Sequence, residues 1–444
     1  MPDEAPRRPW LHSDRPVPRR VLRPLQEFLS TSAAGGVVLL VAIAVALLWA
    51  NSPFSGGYER FWATRFAVSL GSWGIDENLR WWVNDGLMAP FFLLVGLEIK
   101  RELLTGELRD RRAALLPAAA ALGGMIVPAI IYLALNAGDT GSRAWVSAMP
   151  TDIVVALGIL TLAGTAAPPS LKPFLLTLAI VDDILTVLAI AVFSSQEVRW
   201  MPLLVALGSV AVALGMQRIH VRASAVYVVI GLMLWIALQR SGVSPALAGV
   251  LIGFLTPAVA FQRPRAVSVE AHRTADDTLD DPDPPDVDAP HWLRLAALSR
   301  EAVSPLARVE HLLLPWVTLI VLPLFALANA GMALSGGAIA QAVHSRVALG
   351  LVFGRIVGKL VGIVLACWIL VRAGVASLPS QAGWPHMVGV GAAAAAAFSV
   401  SLLVVDLTLP VELQVVAKIG ILASVVLGGT IALAVFRAES RQSS

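Results

Sequence analysis

The sequence predicts an all-α membrane protein of about twelve transmembrane helices, with one small β-hairpin outside the bilayer. Three observations predict it. Of 444 residues, 57% are hydrophobic and only 14% are charged, against about 25% charged in an ordinary soluble protein. The mean hydropathy is +0.76, so the apolar excess is sustained along the chain. Repeated apolar runs reach roughly 17–25 residues, enough to cross a ~30 Å hydrocarbon core. A soluble enzyme, a disulfide scaffold, a disordered tail protein and a coiled coil are excluded. The single cysteine, Cys367, sits in an apolar run, which leaves neither a disulfide framework nor a thiol metal site.

Taken in order, residues 1–32 form a polar cytoplasmic segment rich in arginine (Arg7, Arg8, Arg15, Arg19, Arg20, Arg23), and the charge-free run 33–50 is the first span. A cleaved signal peptide is a poor match, because the polar lead is too long and the apolar run exceeds ~7–15 residues. The connection 51–80 contains an alternating stretch, then Gly71-Ser72-Trp73-Gly74 and Ile75. It reads as a periplasmic β-hairpin over 61–75. Further spans are expected near 81–103, 113–135, 145–163, 173–194, 201–217, 223–238 and 243–261, completing eight within 33–261. Of these, 201–217 and 223–238 are short enough to be buried half-spans. Residues 262–308 carry Asp276, Asp277, Asp280, Asp281, Asp283, Asp286 and Asp288 among prolines, the composition of a disordered acidic loop. Spans near 312–334, 347–371, 387–407 and 419–436 fill residues 309–437, and 438–444 is a tail.

Positive residues set the orientation, since they are retained on the cytoplasmic side. The N-terminal lead, the cluster Lys100, Arg101, Arg109, Arg111 and Arg112, the pair Arg218 and Arg222, the 262–308 loop, and Arg437 with Arg441 all fall on one side if every span crosses. Both termini are therefore expected in the cytoplasm.

A charge near the bilayer centre costs at least ~2.5–3.5 kcal/mol, so each one needs a partner, water or a function. Asp182 and Asp183 lie about ten residues into 173–194, or ~14 Å along a helix, close to the middle of the bilayer. Asp152 is similarly deep in 145–163, and Lys359 is central in 347–371. Adjacent helix residues point about 100° apart, so Asp182 and Asp183 cannot face one partner together. Vicinal carboxylates resist ionising together. The pair can accept protons or a small hard cation with a preference for oxygen ligands, but not comfortably both. Such mutual exclusion is the chemistry of cation/proton exchange. Pro150, next to Thr151 and Asp152, breaks a helix there. A broken helix offers free carbonyls and two half-helix dipoles that need compensation. Asp152 suits the positive end, and Lys359 the negative end or a carboxylate.

At these residues the chain resembles the bacterial Na⁺/H⁺ antiporters of the NhaA type, from Gly35 through about Arg437. The similarity is carried by Asn84-Asp85-Gly86-Leu87-Met88, by Phe91-Phe92-Leu93-Leu94-Val95-Gly96-Leu97-Glu98 with Lys100-Arg101-Glu102-Leu103, and by Thr151-Asp152-Ile153. It continues through Ala179-Ile180-Val181-Asp182-Asp183, Leu322-Pro323-Leu324-Phe325-Ala326 with Asn329-Ala330-Gly331, and Gly358-Lys359. The order and spacing of these strings make the match specific. The resemblance implies twelve spans in inverted repeats, with two interrupted helices crossing at the midplane; these antiporters are a standard instance of that architecture. It also implies that Asp182 and Asp183 bind the transported Na⁺ or Li⁺ and the protons, Asp183 more directly. Thr151 and Asp152 would lie at the helix interruption, and Lys359 would compensate the crossing and pair with Asp182. Glu98, Glu102 and Glu310 would form a pH-sensing cytoplasmic funnel, and the 61–75 hairpin would join two copies into a homodimer. Exchange would be electrogenic, driven by protons entering a bacterial inner membrane. No enzyme activity, resident cofactor or nucleic-acid partner is expected.

The chain departs from the family pattern in three places. The glycine-rich break of the eleventh span is replaced by the alanine run 392–397 before Phe398-Ser399-Val400-Ser401. Ala favours helix by about 1 kcal/mol over each Gly, so the second interruption is expected to be less unwound. Ser244-Pro245 stands where one type of member carries a histidine, so no pH profile carries over. Arg355 and Asp406 occupy positions that are usually uncharged, and an extra ion pair between them is expected, across neighbouring helices in the outer half of the membrane. Two other classes stay open. A sodium-coupled symporter of an organic anion would show Asn/Gln-rich substrate contacts. An intramembrane aspartyl protease would place its acids on different helices with a Gly-x-Gly-Asp signature, which this sequence lacks.

Overall fold

The computed structural model describes residues 34–70, 73–193, 199–219, 224–280 and 289–442. The N-terminal segment 1–32, Gly71 and Ser72, Arg222, and Asp281, Asp283, Asp286 and Asp288 lie outside the described residues.

Among the described residues, seven helices are long and apolar enough to cross a membrane: Leu79–Leu104, Arg112–Asn136, Leu171–Ile190, Trp200–Arg218, Pro305–Asn329, Arg346–Arg372 and Val411–Glu439. Three further segments join two helices across a short bent break. These are Ala34–Ala50 with Ser55–Ala63 at 113°, Thr140–Ala148 with Ile153–Ala166 at 49°, and Trp384–Ala395 with Ser399–Thr408 at 47°. Two shorter apolar helices, Val226–Ser241 and Ala246–Leu255, remain. The 201–217 segment, short enough on sequence for a half-span, is part of a helix of 19 residues.

The chain forms two compact units. The first comprises residues 1–84, 115–186 and 318–444; the second comprises 85–114 and 187–317. Helices that share an apolar solvent with lipid gain little from hydrophobic burial against each other, so they associate through small residues that let backbones approach. In the first unit the helices containing Gly123 and Gly362 touch backbone to backbone, and a Cβ on either glycine would land on the carbonyl oxygen of the other. In the second unit Gly249 and Gly253, four residues apart, face Ala89 and Leu93 in the same way.

The strands Arg65–Leu70 and Trp73–Asn78 pair antiparallel, with Val68 opposite Ile75. They begin later than the 61–75 alternation suggests, because Phe61 belongs to the helix Ser55–Ala63. Aromatic packing explains the shift. Trp49 meets Tyr58 edge-on at 5.4 Å, and Phe61 meets Trp62 at 5.0 Å. The buried Tyr58 hydroxyl donates at 2.8 Å to the Leu327 carbonyl and accepts from Gly331 N–H at 3.1 Å.

The 262–308 loop, expected to be disordered, instead contains the helices Pro264–Asp280 and Ala289–Glu301. Arg294 reaches Glu270 between them at 3.9 Å. Composition averaged over the loop hides a run of strong helix formers over 293–298, Leu-Arg-Leu-Ala-Ala-Leu, whose propensity acts locally.

Candidate functional site

The first break spans Met149 to Asp152, between the 3₁₀-helix Thr140–Ala148 and the α-helix Ile153–Ala163. Pro150 supplies no N–H to continue the helix. Asp152 then takes an extended conformation and caps the next helix, its Oδ1 accepting from Val154 N at 3.2 Å and Val155 N at 3.3 Å. Its other oxygen, Oδ2, accepts from Ser399 N at 3.3 Å and Ser399 Oγ at 3.0 Å. One carboxylate thus serves the N-terminal ends of two half-helices, where the partial positive charge of the helix dipole favours an anion. Losing a cap costs about 0.5–2 kcal/mol. Asp152→Ala, which removes both, should cost roughly 1–4 kcal/mol in thermal stability, and Asp152→Asn clearly less because its amide oxygen still accepts. Equal melting temperatures for the two variants would contradict this double role.

The second break runs through Ala396, Ala397 and Phe398, between the helices Trp384–Ala395 and Ser399–Thr408. Its bend of 47° is nearly that of the first break, 49°, so the alanine run is broken despite its helix propensity. Arg355 supplies the reason. It is fully buried, and its Nη2 donates to the carbonyl of Ala395 at 3.2 Å and to that of Ala397. Hydrogen bonds from a charged donor contribute about 1.5–3 kcal/mol each, enough to outweigh about 1 kcal/mol of helix propensity per alanine. The carbonyl end of the half-helix also carries the negative end of its dipole, which a guanidinium complements.

The expected ion pair between Arg355 and Asp406 does not form. Asp406 pairs instead with Lys418 on the final helix, at 2.8 Å. Distance explains this: Asp406 lies nine residues beyond Ala397, or ~13 Å along a helix, while Arg355 is committed to the break itself.

Lys359 begins an α-helical stretch directly after the π-helical turn Gly354–Gly358 that holds Arg355. Its Nζ donates to Thr151 Oγ1 at 2.7 Å and to Asp182 Oδ2 at 3.1 Å. Both partners of the ion pair are 1% exposed by side chain. Lys359 thus touches the first break at Thr151 and pairs with Asp182, while Arg355 holds the carbonyls of the second break. Asp183 is buried next to Asp182 on the helix Leu171–Phe193 and lies within electrostatic reach of Lys359. The first unit therefore gathers Thr151, Asp152, Asp182, Asp183, Arg355, Lys359 and Ser399.

The three glutamates fall together in the second unit. Arg101 bonds Glu310 and lies 3.5 Å from Glu102. Glu98 stands within electrostatic reach of Arg101, Glu310 and Glu102. Ser399 is a site residue that neither charge nor motif marks in the sequence: it opens the helix Ser399–Thr408, and its N–H and hydroxyl both donate to Asp152 Oδ2.

Against known proteins, the model of the family described as Na⁺/H⁺ antiporter 1 matches residues 26–436. A protein named Na⁺/H⁺ antiporter NhaA 2 from Sorangium cellulosum is 41% identical over 439 residues, covering 98% of this chain and 93% of its own length. One of the same name from Myxococcus xanthus is 41% identical over 420 residues, with 94% and 89% covered. Na⁺/H⁺ antiporter NhaA 3 from Frankia alni is 42% identical over 415 residues, with 93% and 88% covered. A buried lysine–aspartate pair beside a second carboxylate, two broken helices and end-to-end similarity to these relatives lead to one conclusion: the chain belongs to the Na⁺/H⁺ antiporter 1 family.

Proposed function

We propose that this protein exchanges cytoplasmic Na⁺ or Li⁺ for external protons, electrogenically, across a bacterial inner membrane, and so serves sodium and pH homeostasis. The observation that carries the reading is the fully buried pair between Lys359 Nζ and Asp182 Oδ2, 3.1 Å apart, with Asp183 beside it. A monovalent cation entering among these groups is stabilised when both carboxylates are ionised. Its departure leaves two adjacent like charges that protons relieve. If more than one proton enters for each cation leaving, the cycle moves net charge and the membrane potential drives it.

In this reading Asp182 and Asp183 hold cation and proton in turn, with Asp183 the more direct ligand. Thr151, Asp152 and Lys359 keep the crossing in shape. Glu98, Glu102 and Glu310 sense cytoplasmic pH through their shared contacts around Arg101. The seven single spans, three bent segments and two shorter helices serve as twelve crossings in inverted repeats, with both termini in the cytoplasm. The strand pair Arg65–Leu70 and Trp73–Asn78 offers edges through which two copies join, since an open strand edge recruits another chain. An aspartyl protease needs two acids facing one peptide bond, whereas Asp182 is held by Lys359 and Asp152 by two helix ends.

The test is a pH-dye assay in everted vesicles energised to acidify their interior. Na⁺ and Li⁺ should each dequench the dye, and the response should grow with an imposed potential. Silence towards both ions at every pH tried, with the protein correctly inserted, would overturn the proposal.

A further inference from the structure

The exchange reading assigns the cation two carboxylates, yet a small hard cation takes several oxygen ligands. One further oxygen stands apart on the same helix. Thr186 is 1% exposed, and its Oγ1 has no hydrogen-bond partner. A buried hydroxyl in that state is rare and calls for an explanation.

The usual fate of a helical hydroxyl is to bond the carbonyl four residues back. Thr161, Ser209, Thr256, Thr274, Thr408 and Thr430 all do so here, at 2.6–3.0 Å. Thr186 lies in the helix Leu171–Phe193, where the Asp182 carbonyl stands in that position, but its hydroxyl is left unbonded.

The helical wheel gives its direction. At about 100° per residue, Thr186 points ~40° from Asp182 and ~60° from Asp183, one turn further along. It therefore stands over the gap between the two carboxylates. Asp182 contributes a second oxygen in the same condition, for its Oδ2 is taken by Lys359 while Oδ1 has no hydrogen-bond partner. Two buried oxygens without donors, on one face of one helix, favour a positive charge rather than a packed apolar neighbour.

We propose that the Thr186 hydroxyl is a further ligand of the transported Na⁺ or Li⁺, completing the site made by Asp182 and Asp183. This rests on the exchange reading above. A neutral oxygen adds coordination without adding charge. It strengthens cation binding while leaving the proton count per cycle to the carboxylates, so it tunes affinity rather than stoichiometry.

The experiment compares wild type with Thr186→Val, which keeps shape but removes the oxygen, and Thr186→Ser, which keeps the oxygen. Apparent KM for Na⁺ and for Li⁺ is read from the vesicle assay, Li⁺ binding by calorimetry on purified protein, and melting temperature in detergent. Thr186→Val should raise KM and weaken Li⁺ binding about tenfold or more, the loss that follows removal of even a supporting partner at a metal site. Its melting temperature should stay level, because an unpartnered hydroxyl is being replaced by a methyl group. Thr186→Ser should recover most of the affinity. An unchanged KM in Thr186→Val overturns the assignment, as does a lowered melting temperature that Thr186→Ser fails to restore, since both describe a packing residue. The exchange reading fails separately: wild type itself would then give no cation response.

Discussion

Asp183→Asn is expected to reduce Na⁺- and Li⁺-driven exchange to the level of vesicles without the protein, with yield and membrane insertion unchanged. Asn matches Asp in shape and removes only the ionisable charge. The effect should be this large because the two carboxylates differ in their surroundings. Lys359 holds Asp182 through Oδ2, so Asp182 offers a cation only its other oxygen, Oδ1, and its charge is already offset. In the exchange proposed above, Asp183, turned about 100° away on the same helix, is the charge that attracts the cation and the group that takes up the proton exchanged for it. With Asn at 183 the site keeps Asp182, already offset by Lys359, and has no net attraction for Na⁺. Calorimetry on the purified variant should accordingly show no Li⁺ heat. Wild-type exchange by Asp183→Asn would remove this residue from the site, whatever the fate of Asp182.

How far the sequence discloses this site follows from what kind of force acts on each residue. Asp152, Asp182, Asp183 and Lys359 are legible because a charge inside an apolar run is costly wherever the run ends up, and the structure gathers them in one unit. Pro150 is legible for a similar reason, since its missing N–H breaks a helix in any context. The second break is not. An alanine run argues for helix by local propensity, and only the distant guanidinium of Arg355, 40 residues from Ala395 in sequence, claims the freed carbonyls. Arg355 itself is visible as an unusual charge, but a sequence offers carboxylates as partners more readily than carbonyls, and Asp406 is an unusual charge of opposite sign. The 262–308 loop misleads in the other direction, because its prolines and aspartates mask the run of strong helix formers over 293–298.

Lys359→Ala should lower stability by about 3–5 kcal/mol, the cost of breaking a buried ion pair by removing one member. The loss comes from what is left behind. Asp182 is fully buried, its Oδ1 already lacks a partner, and removal of Nζ takes away the positive charge that balances it, leaving only hydrogen bonds from Thr151. The Thr151 hydroxyl loses its donor at the same time. The stranded charge predicts its own remedy: Asp182→Asn in the Lys359→Ala background should recover most of the lost melting temperature, since removing both members of a buried pair is often close to neutral. Thermal melts of the two single variants and the double variant in one detergent give the coupling directly, and it should exceed about 1 kcal/mol for groups in contact. A Lys359→Ala protein that melts with wild type would leave Lys359 a role in ion chemistry alone. A double variant no better than Lys359→Ala would show that the loss arises from the cavity left by the lysine stem, and not from the unpaired carboxylate.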